Sequence, residues 1–273
     1  ILINEGYFEQ VNCTLALQEF MRREDDLSGY FLSNSQQNIF DFIPSHQNNH
    51  VFTPRSTVKL MIERIKQQNP MIFHSSRTRF FDPSSKSGLF LAEVVKELLQ
   101  NIHHEFASEH DCLIHILTHQ VYAWSPSSFL RQSTINTLLR FLRIHPNLFS
   151  NDEIEMCENH FLEFNPIKEK GGFNRHEIRQ TIKAQWGNDM KFDVILGNPP
   201  YQYGRRQVYA DFYRLAVELD PEIICMVFPT GWQKTNNHNG LGLLNKPKYK
   251  RDPHLVLIDN YKADDDISME ANN

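Results

Sequence analysis

Residues 191–202 read KFDVILGNPPYQ. A run of strand-forming residues enters Asn198, then Pro199 and Pro200, then Tyr201. Proline has no N–H and a fixed φ, so a proline pair ends a strand and stiffens the residues after it. A plain turn is ordinarily made with Gly, Asn or Asp. A rigid, donor-poor corner at the C-terminal end of a strand holds carbonyl oxygens at fixed positions beside a pocket.

Outward from this stretch, the chain alternates strands with helices. Downstream, DFYRLAVEL (211–219) carries Phe212, Leu215, Ala216 and Leu219 at helical spacing, and EIICMVFPT (222–230) and HLVLIDNY (254–261) are apolar enough to be buried strands. Upstream, TRFFDP (78–83) reads as a short strand ending at Asp82 and Pro83, SSKSG (84–88) as a loop, and LFLAEVVKELLQNI (89–102) as a helix. Before it, Val58, Met61, Ile62 and Ile65 give one apolar helix face, with Thr53 expected as N-cap and Pro54 as first helical residue. HQVYAW (119–124) is a further strand, followed by a helix from Phe129 to about Ile144. Residues 145–190 are polar and read as short helices and loops. Such alternation predicts a doubly wound, Rossmann-like parallel α/β sheet over residues 50–273. Residues 1–49 are expected to form a helical segment ahead of it, closed by the polar linker PSHQNNH (44–50). Ligands of such sheets bind outside the carboxyl ends of strands. Asp82, Trp124, Asn198 and Pro229 are therefore expected on one rim.

The 273 residues are 40% hydrophobic and 22% charged, the balance of a globular protein. A net charge of −5 argues against a free-standing basic nucleic-acid module. The four cysteines are widely spaced, with no CxxC, which predicts reduced thiols and a cytoplasmic location. No apolar run reaches the ~20 residues of a membrane span. The start at Ile1 and the polar end read as a piece of a longer chain.

The NPPY corner suggests a chemistry. An exocyclic adenine amine is a poor nucleophile because its lone pair is delocalised into the ring. Two acceptors gripping its N–H groups favour a more tetrahedral, more nucleophilic nitrogen, and the Asn198 side-chain oxygen and the Pro199 carbonyl are candidates. Pro199 and Pro200 would pre-organise that pair, and Tyr201 would stack on a base taken out of its helix. The competing explanation is a strand-ending turn. FFDPSSKSGLFL (80–91) adds a loop of small residues, with Asp82 at a strand end, opening into a helix N-terminus.

With these motifs in place, the chain resembles the gamma-type amino-methyltransferases that methylate adenine N6 in DNA. More narrowly, it resembles the adenine-specific methylase region of restriction–modification enzymes, including fused endonuclease–methylases. HVFTP (50–54) resembles the segment preceding the family's first strand, DPSSKSGLFL (82–91) its DPxxGSGxFL cofactor loop, NPPY (198–201) its catalytic motif, and VFPTGW (227–232) a later motif near the base pocket. The likeness spans roughly residues 50–262. It implies S-adenosylmethionine as cofactor, held by Phe52, Thr53, Pro54, Asp82, Ser84, Gly88 and Phe90. It implies Asn198, Pro199, Pro200 and Tyr201 as catalytic residues, and double-stranded DNA with a flipped adenine as substrate. Missing domains for target recognition, with or without a nuclease, would be partners.

The chain departs from the pattern at three places. Lys86 stands where the family's loop has its first glycine. The second strand ends in Trp124 and Ser125 instead of the usual acidic residue. There, Trp124 would stack on the cofactor's adenine and Ser125 would accept a hydrogen bond. The segment between Tyr201 and Asp211 is short for a loop covering a flipped base. These departures keep open a non-catalytic methyltransferase-like remnant or DNA-binding scaffold subunit. The NPPY chemistry also keeps open an RNA or protein-glutamine substrate. Arg205 and Arg206 are either phosphate contacts or ordinary surface arginines, and Trp232 is core or pocket wall. The basic run at 246–251 is a solvated loop or a DNA clamp. HHEFASEH (103–110) lacks the HExxH spacing, and no metal site is predicted.

Overall fold

Period-two alternation along three short strands sorts the two faces of the central sheet. The computed structural model describes residues 53–139, 149–168, 172–203 and 206–229. Phe52, Arg205, Trp232, the 1–49 segment, the 246–251 run and the expected strand at 254–261 lie outside the described residues. The elements run α1 (Arg55–Gln68), β1 (Phe80–Asp82), α2 (Leu89–Ile102), α3 (Glu109–His119), β2 (Val121–Ser125) and α4 (Ser128–Leu138). They continue with α5 (Asn151–Glu158), β3 (Phe161–Glu163), α6 (Arg175–Trp186), β4 (Val194–Gly197), β5 (Gln202–Tyr203), β6 (Arg206–Gln207), α7 (Tyr209–Glu218) and β7 (Ile223–Met226).

Five strands form one parallel sheet in the order β3-β2-β1-β4-β7. On one face, Phe80, Val121, Ala123, Val194 and Leu196 pack with the apolar sides of α1 to α5. On the other, Phe81, Tyr122, Trp124 and Ile195 pack with Ile178 and Ile182 of α6 and Leu215 and Ala216 of α7. Helices therefore cover both faces, and the doubly wound α/β architecture expected from the sequence is present. The chain winds outward from β1 through β2 to β3, then crosses back to β4 on the far side of β1. The strand order thus reverses between β1 and β4, and the crevice outside their carboxyl ends is where this architecture places ligands.

Four elements depart from the sequence expectations. α1 begins one residue later, with Pro54 as its N-cap at φ −56° and ψ 145° and Arg55 as first helical residue. The Thr53 hydroxyl is engaged with Asn198 instead of capping the helix. α3 and β3 arise inside stretches that carried no clear pattern. α3 is capped by Ser108, whose side chain accepts from the Asp111 N–H. β7, expected to be buried, is half-buried at the end of the described sheet.

Candidate active site

Two strand ends meet at the reversal point. Gly197 closes β4 with φ +150°, and a Cβ built on it would stand 2.7 Å from Asp82 Oδ1 at the end of β1. Only a residue without a side chain lets the Asp82 carboxylate come this close to the neighbouring strand. Asp82 is 2% exposed. The Ser84 N–H donates to its Oδ1 at 3.0 Å, and the Ser85 hydroxyl also hydrogen-bonds it. Burial outweighs these contacts and pushes the carboxyl up to about 7, against the opposing pull of the nearby Lys86 cation. Burial likewise presses the Lys86 amine down to about 8, although the Asp82 charge favours the ammonium. In both groups desolvation exceeds the mutual attraction, as burial of a charge ordinarily does.

The loop after Asp82 is closed on its far side by Thr134 of α4. Gly88, the N-cap of α2, sits at φ +75°, where a Cβ would lie 3.0 Å from the Thr134 carbonyl oxygen. The Thr134 hydroxyl is 3.0 Å from Ser85 Oγ and 3.4 Å from Ser125 Oγ. The Ser85 N–H donates to the Trp124 carbonyl at 2.7 Å. Ser125, Thr134 and Ser85 thus form a buried run of hydroxyls that ends on the Asp82 carboxylate. Thr134 carries no sequence signal of its own. It is one polar position on a weakly amphipathic helix, and only the packing of α4 reveals it.

Of the expected cofactor residues, the structure brings Asp82, Ser84, Gly88 and Ser125 into this loop region. Phe90 lies on α2 and packs into the core. Trp124 does not share that setting. Strand alternation turns it to the opposite face, where it is fully buried. Its ring meets Phe81 edge-on at 4.9 Å and Phe164 at 4.6 Å, and it stacks with Trp186 at 6.2 Å. The indole is a core side chain, held by rings from β1, the segment after β3, and α6.

At the end of β4, Asn198 is 7% exposed. Its Nδ2 donates to the Thr53 hydroxyl at 3.0 Å. α1 docks against β7 and α2, and that docking brings Thr53 here across 145 residues of sequence. Asn198 also favours the ionised form of the Tyr201 phenol, although burial dominates there and pushes the phenol up to about 12. The amide nitrogen is engaged by Thr53, and the Oδ1 is a buried acceptor with no donor among the described residues. Pro199 is buried and Pro200 half-buried. Tyr201 is half-buried against Tyr209, Ala210 and Tyr213, with Phe228 packed on the same cluster. The Val227 N–H donates to the Gly197 carbonyl at 3.1 Å, which ties the segment leading to Phe228 and Pro229 to the NPPY corner.

Beyond the corner, β5 and β6 form a small antiparallel hairpin. Arg206 pairs with Asp211 at 3.0 Å. The histidines at 103 and 104 lie in a short 3₁₀ turn, and no group of three or more His, Cys, Asp or Glu among the described residues is arranged to hold a metal ion. No helix among the described residues is long and apolar enough to cross a membrane.

Residues 127–265 match the family model of the Eco57I restriction-modification methylases. The match includes the NPPY corner and begins after the 82–88 loop. The chain is also 22% identical, over 274 residues, to an uncharacterized adenine-specific methylase of Mycoplasma pneumoniae. That similarity covers 82% of this chain and 65% of the relative, so the chain spans just under two thirds of the relative's length.

Proposed function

The chain belongs to the Eco57I restriction-modification methylase family, and from that premise we propose that it methylates the N6 amine of adenine in DNA within a restriction–modification system. One observation carries the site assignment. Asn198 has its amide nitrogen engaged by Thr53, and its buried Oδ1 has no donor among the described residues. A buried acceptor left unpaired costs roughly 1–3 kcal/mol, and an incoming amine N–H would recover that cost.

In this proposal the Asn198 Oδ1 and the Pro199 carbonyl accept from the two N6 hydrogens. That grip localises the nitrogen lone pair and aims it. Thr53 and Tyr201 fix the amide so that its oxygen, and not its nitrogen, faces the substrate. Tyr201 stacks on the extruded base, and burial keeps its phenol neutral. The cluster of Tyr209, Tyr213 and Phe228 backs Tyr201 and excludes water from one side.

The methyl donor is S-adenosylmethionine, which when bound supplies an electrophilic sulfonium methyl group. The donor set at the reversal point suits it. Asp82 offers a carboxylate, the loop from Ser84 to Gly88 has small side chains apart from Lys86, and α2 opens at Gly88. Thr53, Pro54, Asp82, Ser84, Gly88 and Ser125 would hold it. Trp124 is left out because its ring is committed to the core. Phe52, outside the described residues, keeps its place by resemblance alone, as does Phe90 on α2.

The test uses the full-length protein, labelled S-adenosylmethionine and plasmid DNA. Label should appear in N6-methyladenine. Asn198→Ala should lower the rate by about 10²–10³-fold, the usual cost of removing a pre-organised polar group, with cofactor binding by calorimetry retained. Cofactor binding should be lost in Asp82→Ala. Label in RNA or a glutamine side chain, or no transfer at all, would refute the proposal.

A further inference from the structure

We propose that the β5–β6 hairpin is a DNA wedge, with Tyr203 entering the duplex where the target adenine leaves it. This rests on the function proposed above. The hairpin begins directly after Tyr201, pairing Gln202 with Gln207 and Tyr203 with Arg206. Gln202, Tyr203 and Arg206 are exposed and Gln207 is half-buried, so the face carrying Tyr203 and Arg206 is open. A lone two-stranded hairpin has little stability of its own. This one is held at its base, where the Val208 N–H donates to the Tyr201 carbonyl at 3.1 Å and Arg206 pairs with Asp211 in the first turn of α7.

Tyr203 is 44% exposed, and it is the one exposed aromatic side chain among the described residues. Every other ring near the corner is packed: Tyr201, Tyr209, Tyr213 and Phe228 form one cluster. Directly paired residues on antiparallel strands project from the same face. Tyr203 and Arg206 therefore share one side of the ribbon, with the Arg206 guanidinium reaching Asp211. An exposed aromatic ring on a face that also carries an arginine is the combination that single bases and their phosphates recruit.

Position decides what the ring is for. Extruding a base costs the stacking energy it leaves behind, and an apolar side chain inserted into the duplex offsets that cost. The inserting group has to lie close to the pocket that receives the base. Tyr203 follows Tyr201 by two residues of extended chain, a reach of about 7 Å or two base steps. Tyr201 would receive the adenine, while Tyr203 would fill the gap behind it.

The experiment measures single-turnover methylation by the full-length protein on two oligonucleotide duplexes. The target adenine is first located by sequencing plasmid DNA methylated by the wild type. In one duplex that adenine is paired with thymine, and in the other it faces an abasic site, which lowers the cost of extrusion. Tyr203→Ala should slow the paired duplex about tenfold and the abasic duplex by no more than about twofold, whereas Tyr203→Phe should stay within about twofold on both. An alanine variant as fast as wild type on the paired duplex overturns the wedge. So does an equal loss on both duplexes, which would mark a general DNA contact. A wild type that methylates no adenine in DNA refutes the function itself, and the wedge with it. A wild type that methylates, joined to either of the other two results, overturns the wedge alone.

Discussion

Replacing Asp82 with asparagine isolates the cost of burying this carboxylate while keeping its size. In the unfolded chain Asp82 ionises near 3.8, and in the folded protein it holds its proton to about 7. Between those values the folded state binds more protons than the unfolded one. Stability therefore falls as pH rises through this window. A displacement of this size corresponds to something on the order of 4 kcal/mol. Asparagine cannot ionise, so the variant lacks this loss. Lys86 acts in the same direction. It is already pushed down to about 8 by burial, and without Asp82 it loses the charge that favours its ammonium form. The variant then gains stability with pH from a lower starting point than the wild type does. Urea unfolding of both proteins at half-unit steps from pH 4 to 8 gives the difference directly, since groups far from the site cancel. The wild type should lose on the order of 4 kcal/mol relative to Asp82→Asn across that range. A flat difference would refute the reasoning. A wild type that gains on the variant as pH rises would show that attraction to the Lys86 charge outweighs desolvation.

Gly197→Ala should destabilise the fold by about 1–3 kcal/mol, because its Cβ would meet the Asp82 carboxylate and its backbone lies at φ +150°. The steric part of that cost should shrink in an Asp82→Ala background and persist with Asp82→Asn, which a double-mutant cycle by urea unfolding separates. Glu93→Ala should cost about 3–5 kcal/mol, since it breaks a buried pair in which the Arg55 Nε lies 2.6 Å from Glu93 and which joins α1 to α2; thermal unfolding reads it. Thr134→Val should cost about 1–3 kcal/mol by removing the hydroxyl shared by Ser85 and Ser125, and calorimetry should show weaker S-adenosylmethionine binding in the variant.

Features written into contiguous residues were legible in the sequence. The strand run into NPPY, the small-residue loop after Asp82 and the apolar faces of α1, α2 and α7 rest on local periodicity and on proline, so strand ends and helix faces could be placed. β3 escaped because only three residues, Phe161–Glu163, make it, inside a polar stretch. α3 escaped because His110, His115 and His119 interrupt its apolar pattern, although Cys112, Leu113, Ile116 and Leu117 still form a buried side.

Trp124 shows where the limit lies. Its place at the end of β2 was readable, and that alone suggested the cofactor rim. The direction of its side chain depends on which face the alternation assigns, and Phe81 and Tyr122 share its face while Val121 and Ala123 take the other. A rim position and a rim-facing side chain are different statements, and the second needs the register. The same holds for Asn198. The motif gives the residue, but its chemistry depends on which of its amide atoms is already engaged. That is decided by Thr53, delivered from 145 residues away by the docking of α1. The Arg55–Glu93 pair beside it holds that docking in place. The upstream VFTP segment therefore has a role that a cofactor-loop reading alone would miss. Through Thr53 it engages the nitrogen of the asparagine amide, and the buried oxygen is left without a donor among the described residues.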